Sequence, residues 1–271
     1  MIEVLHLFPK LNSSLIELLE GLSPAQWSSA TVCKKWSVKD IAAHLLVTAL
    51  RRVSSGRDNH FGKAPGIKSY DDHLNFLNTL NADWVDVYKR VSPQVLISQI
   101  SAAQDNFYHY LLTLDLDAPA LFPVQWAGED QSKTWFDIAR EYTERWHHQQ
   151  QIRLAVGAGS ILERELYHPF LDISMLTLPF HYRLKSALEG TIISINVVGD
   201  AGGSWSIKRK NDAWEFVNTE AEPHTQVYID QNIAWMLLSK GIDIFEAEQY
   251  WQVVGDHELG FHALKMTAFM I

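Results

Sequence analysis

The sequence predicts a helical bundle followed by a smaller α+β domain. Two observations carry that expectation. Over roughly the first 160 residues, apolar side chains recur at three- and four-residue spacing, the period of helices with one buried face. After that point the texture changes to short β-branched and aromatic runs separated by Gly-Asp, Gly-Gly and Asn-Asp turns. Composition agrees: 271 residues, 47% hydrophobic and 20% charged, suffice for a sizeable core and one large or two ordinary domains. There is no internal repeat or low-complexity segment.

The elements follow in order. Residues 9–21 form an amphipathic stripe through Phe8, Leu11, Leu15, Leu18, Leu19 and Leu22, with Pro9 where a first turn tolerates it and room for a separate turn before it. Leu22-Ser23-Pro24 gives a stop and a new cap. Trp36-Ser37-Val38-Lys39-Asp40 starts the next helix, with Ser37 as N-cap and Asp40 completing a capping box. It runs to about Val53 and ends at Ser54-Ser55-Gly56. Residues 57–69, with Gly62, Pro65 and Gly66, read as a loop and residues 70–91 as a helix. Ser92-Pro93 opens another helix to about Thr113. Residues 115–132, with Pro119, Pro123 and Gly128, are irregular, and loops of that length are often functional. Thr134 to about Val156 is the last long helix, ended by Gly157 and Gly159. One short and four longer helices outline a bundle.

In the second half, Glu163–Leu184 reads as helical despite Pro169 and Pro179. Strand-like runs follow at Thr191–Val198, Trp205–Arg209, Trp214–Val217 and Gln226–Ile229, with a short strand near Tyr250–Val254. Ile233–Ser239 and Gly260–Ala268 look helical. The expectation is a largely antiparallel sheet.

Charge and composition exclude several classes. The net charge is -9 and no run of Lys and Arg exceeds three residues, which argues against nucleic acid as a partner. A single cysteine, Cys33, cannot form an internal disulfide. The start, MIEVLHLFPKLNSS, lacks the basic region and apolar core of a secretory signal. No stretch approaches the roughly eighteen apolar residues of a membrane span. A cytoplasmic protein without membrane contact is expected.

Two helices carry the chemistry. On one, His44 stands amid Ile41, Ala42, Ala43, Leu45 and Leu46. On the other, Glu144 and His148 are four residues apart, which puts both on one helix face. Bundle metal sites are built from such pairs facing a ligand on a neighbouring helix. Two imidazoles and a carboxylate suit one divalent ion, Zn²⁺, Ni²⁺, Fe²⁺ or Mn²⁺, and three protein ligands leave a coordination position open. Spacing leaves plainer readings open: a Glu/His pair on a solvated helix, and a His satisfied within a core. His147 is an alternative to His148, but about 100° round the helix, so both cannot face one ion.

The segment from Trp36 to Leu45 resembles the first signature of the DinB/YfiT-like superfamily, and Glu144 through His148 to Gln151-Ile152-Arg153 resembles its second. Glu rather than His at position 144 is similar to the mycothiol-dependent maleylpyruvate isomerase branch. That branch implies a DinB-like four-helix bundle, here residues 1–160, and a smaller sterol-carrier-like α+β domain, here residues 161–271. Gly202-Gly203-Ser204-Trp205-Ser206-Ile207 and Val254-Gly255-Asp256 resemble the second domain. The resemblance implies a metal triad of His44, Glu144 and His148. The family more often has Asp where Gln151 stands, a change beside the ligands that leaves them intact.

The resemblance also implies a function: a metal-dependent enzyme in which a low-molecular-weight thiol, such as mycothiol or bacillithiol, acts on a small electrophilic or carboxylate substrate as transferase or isomerase. Arg153 and Trp126 are the candidates for holding cofactor or substrate, although a surface salt bridge suits Arg153 equally well; Lys208 and Arg209 read first as a solvated sheet face and second as further carboxylate partners. Asp40 reads as a helix cap, Cys33 as a small buried residue, and His257 and His262 as structural. The competing reading is a non-catalytic, metal-stabilised scaffold with a small-ligand-binding C-terminal domain. Pairing of two copies through bundle faces is compatible with either.

Overall fold

The computed structural model describes residues 1–62, 66 and 69–268. A 3-10 turn, Leu5–Leu7, precedes helix α1, Phe8–Glu20. Phe8, Leu11, Leu15 and Leu19 form its buried stripe, and Pro9 lies in its first turn. Helix α2, Pro24–Trp27, is capped by Ser23, which with Gln26 makes a capping box. Helix α3, Val38–Gly56, begins with the expected box: the Ser37 hydroxyl accepts from the Asp40 amide, and the Ser37 amide donates back to the Asp40 carboxylate at 2.9 Å. Helix α4, Tyr70–Tyr88, is capped by Ser69, and α5, Pro93–Leu111, by Ser92. The expected loop over 57–69 lies partly outside the described residues. Helix α4 stops before the expected 91, because the Ser92-Pro93 start needs a short link.

Helix α6, Thr134–Val156, has the expected span; Gly157 ends it with φ +67, the left-handed conformation that favours glycine. Within the irregular stretch before it, Gln125–Ala127 forms a 3-10 turn.

The expected single helical stretch over 163–184 is two helices, α7, Arg164–Met175, and α8, Leu178–Tyr182. Pro179 sits in the first turn of α8, where its missing N–H costs nothing. Strands β1, Ile192–Val198; β2, Gly203–Lys210; β3, Ala213–Phe216; and β4, Thr225–Asp230, follow, then helix α9, Gln231–Leu238. A 3-10 turn at Glu248–Tyr250 leads into β5, Trp251–Gly255. Helix α10, His257–Leu264, starts three residues before the expected 260, because Asp256 caps it by accepting from the Leu259 amide.

The sheet order is β3-β2-β1-β4-β5. Three pairings are antiparallel, as expected, and the central β1–β4 pair is parallel. Asn211 and Asp212, both with positive φ, make the tight β2–β3 turn. At Gly202, before β2, a Cβ would meet the Val197 carbonyl oxygen at 1.9 Å, so only glycine permits that approach.

By compactness the chain divides into two units. One holds residues 3–121 and 144–160; the other holds residues 1–2, 122–143 and 161–271. In the first unit α3 packs on α4 and α5, and α1 packs on α5. There the Arg145 guanidinium lies 4.0 Å over the Phe107 ring, which in turn meets Phe8. In the second, Tyr182 donates to the Leu259 carbonyl and the Trp205 indole to Asp172. No described helix is long and apolar enough to cross a membrane.

Candidate metal centre

Residues 41–47 of α3 are buried without interruption, so His44 enters the bundle core with no solvated face. On α6, residues 145–152 are also buried without interruption, although six of the eight are polar. Buried polar side chains need partners. The partners explain this unusual stretch.

His44 Nε2 lies 3.2 Å from Glu144 Oε1, and His148 Nε2 lies 3.2 Å from the same oxygen. The two imidazole rings meet edge to face, with centroids 4.8 Å apart. Trp36 packs against both, 4.8 Å from the His44 ring and 6.3 Å from the His148 ring. The turn that carries Trp36 is held by Thr31, whose hydroxyl donates to the Trp36 carbonyl at 2.8 Å. Glu144 is the open side of the cluster: its side chain is 35% exposed, against 5% for His44 and 11% for His148.

Electrostatics sharpen the picture. Burial pushes the Glu144 carboxyl up, but His148 and His44 outweigh it and hold the group well below the usual carboxylate range. Burial pushes His148 down, yet Glu144 more than compensates and its pKa is raised. For His44 burial wins over the Glu144 hydrogen bond, and its pKa is lowered. His147 is pushed down to about 3, chiefly by burial, and is therefore neutral at physiological pH. The carboxylate is thus ionised beside two rings competing for its charge, a proton-held version of the contacts a cation would make.

The donor set fits a divalent ion. One ligand atom from each of His44, Glu144 and His148 falls within 4.8 Å of the other two. Tetrahedral coordination with bonds of about 2.0–2.2 Å places donors about 3.3–3.6 Å apart, close to the two 3.2 Å contacts. His147 points elsewhere on the helix, with its Nε2 3.2 Å from Gln151 Nε2.

The remaining sequence candidates fall as follows. Arg153 donates to the Gly159 carbonyl at 2.8 Å and to the Ser14 carbonyl at 3.0 Å, tying the end of α6 to α1. Trp126 belongs to the other compact unit, where its ring meets Phe136 edge-on at 5.8 Å. Arg209 pairs with Asp212 on the β2–β3 turn. Asp40 is the helix cap described above. Burial pushes the Cys33 thiol up, which disfavours a thiolate. His262 stacks on His181 with centroids 4.0 Å apart. Two neighbours escaped sequence reasoning as site residues: Trp36, quoted only for its motif, and Gln151, noted only as a departure. The available signal was the run of polar residues following Glu144.

Comparison with known proteins adds a family. The profile described as the mycothiol maleylpyruvate isomerase N-terminal domain matches residues 8–153. No curated protein matches the chain. Among solved structures, a histidine-to-alanine variant of the mycothiol-dependent maleylpyruvate isomerase aligns with a TM-score of 0.55 at 10% identity, covering 92% of this chain and 90% of its own. The mycothiol-dependent maleylpyruvate isomerase itself aligns with a TM-score of 0.53 at 10% identity, covering 86% of each chain. At such identity the likeness is one of fold, extending over both the helical part and the sheet.

Proposed function

The chain belongs to the mycothiol maleylpyruvate isomerase N-terminal domain family, and from that premise we propose that it is a metal-dependent enzyme using a low-molecular-weight thiol. Its reaction is isomerisation of, or transfer to, a small electrophilic or carboxylate substrate. The observation that supports this reading best is the convergence of His44, Glu144 and His148 from two helices.

In this reading His44 and His148 each present Nε2 to a Zn²⁺, Ni²⁺, Fe²⁺ or Mn²⁺ ion, and Glu144 presents a carboxylate oxygen. A bound cation supplies charge that lowers the pKa of a coordinated thiol and yields a thiolate at neutral pH. Trp36 walls the site beside both imidazoles and keeps water from them. The exposed side of Glu144 is where thiol and substrate enter. Mycothiol is the first thiol to try, because the family and both structural neighbours are named for it; bacillithiol is the second. Arg153 and Trp126 remain the proposed contacts for cofactor or substrate. Recruiting Arg153 requires it to leave Ser14 or Gly159. Residues 1–160 act as the metal-binding bundle and residues 161–271 as the accessory domain, in the cytoplasm and without nucleic acid.

The test is an assay of the purified protein with maleylpyruvate or a model electrophile, one thiol at a time, loaded with Zn²⁺, Ni²⁺ or Mn²⁺. Turnover that needs both metal and thiol is expected. Metal binding without turnover for any thiol would favour the scaffold reading instead.

A further inference from the structure

The strongest unassigned feature is the chain of side chains behind His148. His148 Nδ1 lies 2.8 Å from Gln151 Oε1, and Gln151 Nε2 lies 3.2 Å from His147 Nε2. All three residues are buried, at 8%, 9% and 5% exposure for His147, His148 and Gln151. An amide oxygen only accepts and an amide nitrogen only donates. With the amide in this orientation, Nδ1 of His148 carries a hydrogen and Nε2 of His147 offers a lone pair.

We infer that Gln151 is a positioning residue that fixes His148 in the form protonated at Nδ1, leaving Nε2 as the nitrogen turned toward Glu144, and that His147 anchors the amide. The inference rests on the metal reading for its consequence, but the hydrogen-bond chain stands without it. His147 works from its own face of α6: its lone pair takes the amide nitrogen, which turns the amide oxygen toward His148. Were the amide reversed, both rings would take the opposite tautomer, with His147 donating from Nε2 and His148 accepting at Nδ1 and carrying its hydrogen on Nε2, so the state of the His148 ring reports the orientation directly.

His44 has no such support. Its Nδ1 is buried and finds no hydrogen-bond partner among the described residues. The two imidazoles are therefore unequal, and His148 is the one held ready. The outer support of His148 is also uncharged, because an amide stands where a carboxylate would add a negative charge. A cation at the triad then keeps more of its positive charge, which favours an anionic partner such as a thiolate or a substrate carboxylate.

The experiment is long-range ¹H–¹⁵N NMR of the histidine rings in the metal-free protein, with His148 assigned by comparison with His148→Ala, alongside Zn²⁺ affinity by chelator competition. In the wild type, Nδ1 of His148 is expected to carry a hydrogen, whether the ring is neutral or also protonated at Nε2 toward Glu144. Gln151→Leu should give a mixture of tautomers and weaken Zn²⁺ by about 10–100-fold. Gln151→Glu, which keeps an acceptor for Nδ1–H, should restore the tautomer and most of the affinity. A wild-type His148 ring with hydrogen on Nε2 and none on Nδ1 overturns the inference even if every variant misfolds. An unchanged tautomer and affinity in folded Gln151→Leu overturns it equally. A wild type with the expected tautomer that binds no Zn²⁺, Ni²⁺ or Mn²⁺ would instead sink the metal reading and leave the tautomer assignment standing.

Discussion

His148 Nε2 and Glu144 Oε1 lie 3.2 Å apart, one turn along the same buried helix, and the same oxygen meets His44 from α3 at an equal distance. A single carboxylate oxygen therefore gathers two imidazoles from two helices.

The two adjacent histidines of α6 should behave differently. His148→Ala removes a proposed ligand and should lower metal stoichiometry sharply at micromolar metal. His147→Ala removes only the anchor of Gln151 and should keep one ion per chain at saturation, with affinity loosened about tenfold. Metal content after dialysis, measured for both variants, separates them. Equal loss would mean that the wrong face of α6 has been assigned.

Metal should stabilise the fold. Binding to the native state alone adds about 2.7 kcal/mol when free metal is 100 times the dissociation constant. Thermal melts of the wild type should shift upward by several degrees with Zn²⁺ and return with chelator. Glu144→Gln, which removes the shared anion, should melt at the same temperature with and without the ion.

Trp36→Ala should loosen the site from the side. The ring packs against both imidazoles, and its loss should cost about 1–3 kcal/mol of stability, within the range of partly buried aromatic truncations. Trp36→Phe should recover most of that. Chemical denaturation curves with constant slope would report the difference.

Stability should fall in mild acid for a reason away from the metal site. His181 is pushed down to about 4, chiefly by burial. Its Nε2 donates to the His262 carbonyl, and His262 Nε2 donates back to the His181 carbonyl. Between an unfolded value near 6.5 and about 4, the unfolded chain binds more protons than the folded one. The contribution is thus fully present above about 6.5 and is lost as pH falls toward 4, roughly 3 kcal/mol in all. His181→Gln, which keeps a donor without a titrating ring, should flatten the slope in denaturation measured across that window.

Much of this was legible in the residues. Ser37 with Asp40, Ser92 with Pro93, and Gly157 mark helix ends by local chemistry alone, and α6 has the expected bounds. The pairing of Glu144 with His148 follows from helical period. What the sequence could not supply was long-range. That α3 brings His44 to that face of α6 depends on packing among distant segments. The parallel β1–β4 pair depends on which strand inserts beside β1, and local alternation does not encode that choice. Gln151 was visible as an odd residue, but its role needed the two nitrogens on either side of its amide.

The most direct measurement is X-ray absorption at the metal edge of the purified, Zn²⁺-loaded protein, repeated on the His44→Ala variant. The wild type should show two imidazole nitrogens and a carboxylate oxygen at about 2.0–2.2 Å, with one imidazole lost in the variant. A wild-type spectrum without imidazole scattering, or one unchanged by removing His44, would contradict the assignment.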